Sequence, residues 1–185
     1  MNMTPELSGL SQLLFAAFDS ALGPSSAIYA AGPLDTGLAY YEALGRNEAG
    51  DTVRALNQQR LTGFVSELRK RFHPISVIDP GLLRVPSWAP RETGQFFLDV
   101  ISRYAREARF IDGWEYSSGA TKEFLHCIGL GIPCFSANGD PLSIVEAISL
   151  LSSAIQNITD LGLDVPKLRE RLIGFRQSYA KSQQQ

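Results

Sequence analysis

Apolar positions recur at helical spacing over residues 4–22, where Leu7, Leu10, Leu13 or Leu14, Ala17, Phe18 and Leu22 share one face. Gly23-Pro24-Ser25-Ser26 breaks that pattern. Ala27-Ile28-Tyr29-Ala30-Ala31 is a continuous apolar run ending at Gly32-Pro33, which predicts a buried first strand opening into a loop. The loop is predicted to be long, from Leu34 to about Gly50. Val53, Leu56, Leu61, Phe64, Val65, Leu68 and Phe72 then mark the apolar stripe of a helix that Pro74 ends. Residues 75–78 read as a second strand stopped by Asp79-Pro80, and residues 81–91 as an irregular connection. Phe96, Phe97, Val100, Ile101 and Tyr104 predict a helix from Glu92 to about Glu107. A third strand, Arg109 to Ile111, enters Asp112-Gly113-Trp114. Gly119 to Leu130 reads as a helix and Ile132 to Phe135 as a fourth strand. Two amphipathic helices follow, Asp140 to Ile155 and Pro166 to Tyr179, the second with Asp164 as its cap.

Strands that alternate with helices of this length call for a parallel sheet covered on both faces. The expected architecture is therefore α/β: a three-layer, Rossmann-like (flavodoxin-like) sheet with extra C-terminal helices. Residues 1–25 form an N-terminal helix, 26–138 the α/β domain and 139–185 a helical extension. A ligand site belongs at the carboxyl ends of the strands. Three loops leave those ends: Gly32–Gly37, Asp79–Leu83 and Asp112–Gly119.

Composition narrows the function classes. A net charge of -2 gives no support to phosphate-backbone binding, so a nucleic-acid partner is not expected. No run of about 18 apolar residues exists to span a membrane, and no basic leader opens the chain. Cys127 and Cys134 read as reduced core thiols of a cytoplasmic protein. His73 and His126 are too few and too separated for a metal cluster, and no cofactor is expected. No phosphate-cradling GxxxxGK[ST] loop, GxGxxG turn or GxSxG elbow is present.

The third loop carries the most chemistry. A strand ends at Phe110-Ile111, a polar loop turns through Asp112 to Ser118, and Gly119-Ala120 opens a helix that carries Glu123. Free N–H groups and the helix dipole are expected to keep Glu123 ionised. Such a carboxylate suits attack on an anomeric carbon, whose transition state resembles an oxocarbenium ion. A plain capping role fits the same position. Tyr29 is either a core aromatic or a hydroxyl that bonds Glu123 and fixes it. Asp35, with Thr36 and Gly37, offers polar groups to a ligand or forms an ordinary turn. Asp79 reaches the pocket or organises the turn before Pro80. Trp114 stacks on a base or anchors its loop. His126 reads as a surface or partly buried side chain.

Several stretches resemble one family. Ile28-Tyr29-Ala30-Ala31-Gly32-Pro33 is similar to the first-strand motif of the nucleoside 2-deoxyribosyltransferase superfamily. Ser117-Ser118-Gly119-Ala120-Thr121-Lys122-Glu123 resembles its loop-and-helix signature, whose last Glu is the nucleophile. Ile128 to Pro133 resembles the following A-x-x-x-G-K-P stretch, and Asp112 to Ala120 the P-G-W-E-x-S-x-G-A variant of an uncharacterised bacterial and phage branch. The likeness covers about residues 27–136.

The resemblance implies cleavage of an N-glycosidic bond in a nucleoside or nucleoside 5′-monophosphate, by hydrolysis or by transfer to a second base. It makes Glu123 the nucleophile and Tyr29 its partner. Ser117, six residues before Glu123, stands where nucleotide-hydrolysing members hold the phosphate; Ser118 and Gly119 would complete an anion site at the helix start. Asp99, 24 residues before Glu123, matches the group that assists the departing base. Gly32, Pro33, Asp35, Asp79 and Trp114 are the further substrate-binding candidates. Pro33 replaces a Ser common in those hydrolases, and Arg106-Glu107-Ala108-Arg109 replaces their usual Asp before the third strand. The resemblance also implies a homodimer or higher homo-oligomer. Two other functions fit the sequence: a non-catalytic nucleotide-binding protein and an NAD-type glycohydrolase.

Overall fold

The computed structural model describes residues 9–46, 51–83 and 85–184. Helix α1 (Gly9–Ala21) leads into strand β1 (Ala27–Ala31), followed by α2 (Leu38–Gly45) and α3 (Asp51–Phe72). Next come β2 (Val77–Ile78), α4 (Pro90–Tyr104), β3 (Ala105–Phe110), α5 (Ser118–Leu130) and β4 (Cys134–Ser136). Helices α6 (Ile144–Asp160) and α7 (Pro166–Ser182) close the chain. The fold is α/β. All strand pairs are parallel, in the order β2-β1-β3-β4, with the flavodoxin-like reversal between β1 and β3.

Strand β1 is buried at all five positions because helices cover both faces of the sheet. Its side chains alternate between two cores. Ile28 and Ala30 join Leu61, Val65 and Leu68 of α3. Tyr29 and Ala31 face the other way, into the cluster that holds Ile101 of α4, Phe110 of β3 and Phe124 of α5. Phe15 of α1, Leu151 of α6 and Phe175 of α7 belong to this second cluster. The terminal helices thus share the core of the central α/β unit. The register that pairs Tyr29 with Ala108 sets which strand residues point toward α4 and α5.

The structure differs from the expected elements in several places. The predicted long loop contains α2; residues 47–50 lie outside the described residues. Leu56 leaves the α3 stripe and is 49% exposed. Strand β3 starts at Ala105, where a continued helix was expected, because residues 105–110 pair with β1 along its whole length. Helix α6 starts at the Ser143–Glu146 capping box: Ser143 Oγ accepts from Glu146 N–H (3.2 Å), and Glu146 accepts from Ser143 N–H (2.9 Å). The cap of α7 is Val165, not Asp164; Asp164 accepts the Val165 N–H instead. The part of the first predicted helix before Gly9 lies outside the described residues.

Candidate functional site

A cleft of about 500 Å³ opens at the carboxyl ends of β1 and β3, beside the reversal of strand order. Its floor includes Gly32, one residue past β1. A Cβ at Gly32 would run into Ile111 Cγ2, so the close approach of this turn to the loop after β3 requires glycine. One wall is the start of α5, with Ser117, Ser118, Gly119, Ala120 and Glu123. The segment before α4 and the first turns of that helix form another wall. Asp35 and Arg54 line the cleft as an ion pair.

Tyr29 and Glu123 meet at the base of this cleft. Tyr29 Oη donates to Glu123 Oε1 at 2.9 Å, across 94 residues of sequence. Tyr29 is fully buried. Burial, and then the neighbouring Glu123 carboxylate, push its hydroxyl well above the ordinary pKa of 10.0, so it stays a neutral donor. Glu123 Oε2 makes no hydrogen bond among the described residues.

The expectation that the helix start holds Glu123 ionised is overturned. Ser117 is the N-cap of α5 and Glu123 lies in the second turn, beyond the free N–H groups. Burial dominates and raises its pKa from 4.5 to about 7, opposed first by the Tyr29 hydrogen bond and then by the charge of Lys122. A carboxylate poised near neutrality is available both as a base and as a nucleophile.

The start of α5 adds a second polar feature. Ser117 Oγ accepts from Ala120 N–H at 3.3 Å, which leaves its own O–H as a donor. Ser118 and Gly119 occupy the first turn, where backbone N–H groups lack helical acceptors, and both line the cleft.

The structure therefore brings together Glu123, Tyr29, Gly32, Asp35, Ser117, Ser118 and Gly119. Four other candidates are placed elsewhere. Asp99 does not line the cleft. The cleft face of α4 is the stripe Pro90, Thr93, Gly94 and Phe97, and Asp99 lies about 200° around the helix from Phe97. Its carboxylate accepts from Gln95 Nε2 at 2.9 Å. Trp114 is only 3% exposed and stacks on Phe124, with ring centroids 4.8 Å apart; it anchors its loop in the core. Pro33 lines a separate hollow of about 260 Å³, with Arg60, Asp112 and Glu115. Asp79 caps a 3-10 turn, Oδ1 accepting from Gly81 N–H at 2.8 Å, and its buried Oδ2 has no hydrogen-bond partner among the described residues. Gly81 reaches the cleft wall, whereas Asp79 stays behind it.

Arg54, Trp88 and Thr93 are among the cleft residues that sequence reasoning did not single out. Thr93 and Phe97 share the i,i+4 phase on α4, a signal visible in the sequence once the cleft face of the helix is known. His126 turns toward α4, with Nε2 2.7 Å from Ser102 Oγ. Cys127 and Cys134 are buried free thiols, as expected. Contact with Cys134, then burial, raises Cys127 far above the ordinary thiol range. Among the described residues, no group of three or more His, Cys, Asp or Glu side chains could hold a metal ion. No helix among them is long and apolar enough to cross a membrane.

No protein-family model matches the chain, and no curated protein or solved structure matches it significantly.

Proposed function

We propose that the protein cleaves the N-glycosidic bond of a nucleoside or nucleoside 5′-monophosphate through Glu123. The observation that carries this reading is the hydrogen bond from the buried Tyr29 hydroxyl to Glu123 Oε1, at the base of a cleft beside a helix N-terminus. The bond orients the carboxylate and favours its charged form. Oε2 is left for the sugar.

In the proposed reaction, Glu123 Oε2 attacks C1′. A C–O ester bond forms as the C1′–N bond breaks, and the bonding pair leaves with the base. The base takes its proton from water. A second water then attacks C1′, its proton passes to solvent, and the Glu123 carboxylate is regenerated. A second base in place of that water gives transfer. The Ser117 hydroxyl and the N–H groups of Ser118 and Gly119 hold the 5′ end, and a 5′-phosphate suits them best. Thr93 is the polar side chain that α4 gives the cleft, in the part of the mechanism that Asp99 was expected to fill.

Incubation of the protein with nucleosides, nucleoside 5′-monophosphates and NAD, followed by chromatography, tests the reading. Free base is expected from a monophosphate, with the matching nucleoside cleaved more slowly. Saturable binding with no release of base from any of them would replace this reading with that of a binding protein. A homo-oligomer is part of the proposal, and exposed Leu13, Leu150 and Ile173 are apolar surface for its contacts; light scattering reads its mass directly.

A further inference from the structure

The cleft has two chemically different ends. The polar end is Glu123 and the start of α5. The other wall is apolar: Leu83, Val85, Pro86, Trp88, Pro90 and Phe97. Trp88 is half-buried and packs on Phe96, with ring centroids 5.1 Å apart and planes inclined by 55°. It is therefore an aromatic surface braced by the core and bordering the cleft, in contrast to Trp114, which is sealed between Phe110 and Phe124.

The geometry points to Trp88 as the stacking surface of an aglycone subsite that favours a two-ring, purine-type base over a one-ring base. This inference rests on the N-glycosidase reading, because displacement at C1′ by Glu123 sends the base away from the α5 wall. Among the described residues, the large apolar surface that the cleft offers it is the segment before α4 with Phe97. Prolines on both sides of Trp88, Pro86 and Pro90, restrict the backbone there and reduce the entropy lost when a ring docks. Stacking grows with the π-surface shared, so the larger heterocycle gains more from the same indole.

The test uses the Glu123→Gln protein, which binds without turnover, and follows tryptophan fluorescence during titration with purine and pyrimidine nucleoside 5′-monophosphates. The chain has two tryptophans, and only Trp88 borders the cleft. Purine nucleotides are expected to quench the emission saturably and to bind more tightly than pyrimidine nucleotides. Replacing Trp88 with Ala in that background should weaken purine binding about tenfold, measured by calorimetry, and leave pyrimidine binding nearly unchanged. Trp88→Phe should keep most of the affinity and lose most of the quench. Equal affinity for both base classes, or purine binding unmoved by Trp88→Ala, overturns the inference. The two readings fail separately. If wild type releases base and Trp88→Ala releases purine and pyrimidine as wild type does, the N-glycosidase reading stands and the subsite is refuted. If Trp88-dependent purine binding occurs without any release by wild type, the subsite stands and the N-glycosidase reading falls.

Discussion

Glu123→Gln lowers base release at least about 10³-fold while the nucleotide still binds, because the amide keeps the shape of the side chain and cannot attack C1′. Loss of the fold will not explain the defect, since the variant should be the more stable protein at neutral pH. Burial raises the Glu123 pKa from 4.5 to about 7 in the native state, so the folded protein holds a proton there that the unfolded chain has already released. The stability associated with this group is complete below about pH 4.5 and is lost as pH rises through about 7. Glutamine has no such titration. The stability difference in favour of Glu123→Gln should grow between those pH values, level off above, and reach on the order of 3 kcal/mol. Denaturant titrations of both proteins at pH 5 and pH 8 measure it. A gap of the same size at both values would contradict the raised pKa.

Tyr29→Phe is expected to lower kcat/KM at pH 7 by about 10- to 100-fold without emptying the cleft. The nucleophile must be ionised, so kcat/KM for wild type should rise with pH to a plateau above about 7. The Tyr29 hydrogen bond favours the charged carboxylate, and its removal lets desolvation act more fully. The inflection should therefore move upward by on the order of one pH unit, with partial recovery of activity at higher pH. A lower plateau with an unmoved inflection would make Tyr29 a packing residue only.

The architecture was readable in the sequence because strands and helices alternate and punctuate themselves: Gly32-Pro33 after β1, Pro74 after α3, Gly131 after α5. Element ends were less readable. Apolar spacing around Tyr104 continued a helix through Ala105 on paper, whereas pairing with β1 converts that residue into the first of a strand. Helix α2 is short and almost uniformly apolar, with Glu42 its one charged residue, so it shows no clear stripe and only tertiary packing reveals it.

The site divides along the same line. Ser117 to Glu123 are the cap and first two turns of one helix, and local reading places them together. The Tyr29–Glu123 bond depends on which way alternate β1 side chains face, a choice that five consecutive buried positions hide. Asp99 was chosen by counting along the chain, but the phase of α4 decides what meets the cleft, and it selects Thr93 and Phe97. Trp114 and Trp88 are both loop tryptophans in sequence. The packing of Phe110 and Phe124 puts the first in the core, and the wall before α4 puts the second at the cleft.

Intact-protein mass spectrometry after rapid acid quench, using a substrate whose second step is slowed by a 2′-fluoro substituent, addresses the carboxylate most directly. A mass increase equal to one glycosyl unit, mapped by peptide sequencing to Glu123 and missing from Glu123→Gln, is the predicted result. Base release at the wild-type rate by Glu123→Gln, or an adduct on any other residue, would contradict the assignment of this side chain as the nucleophile.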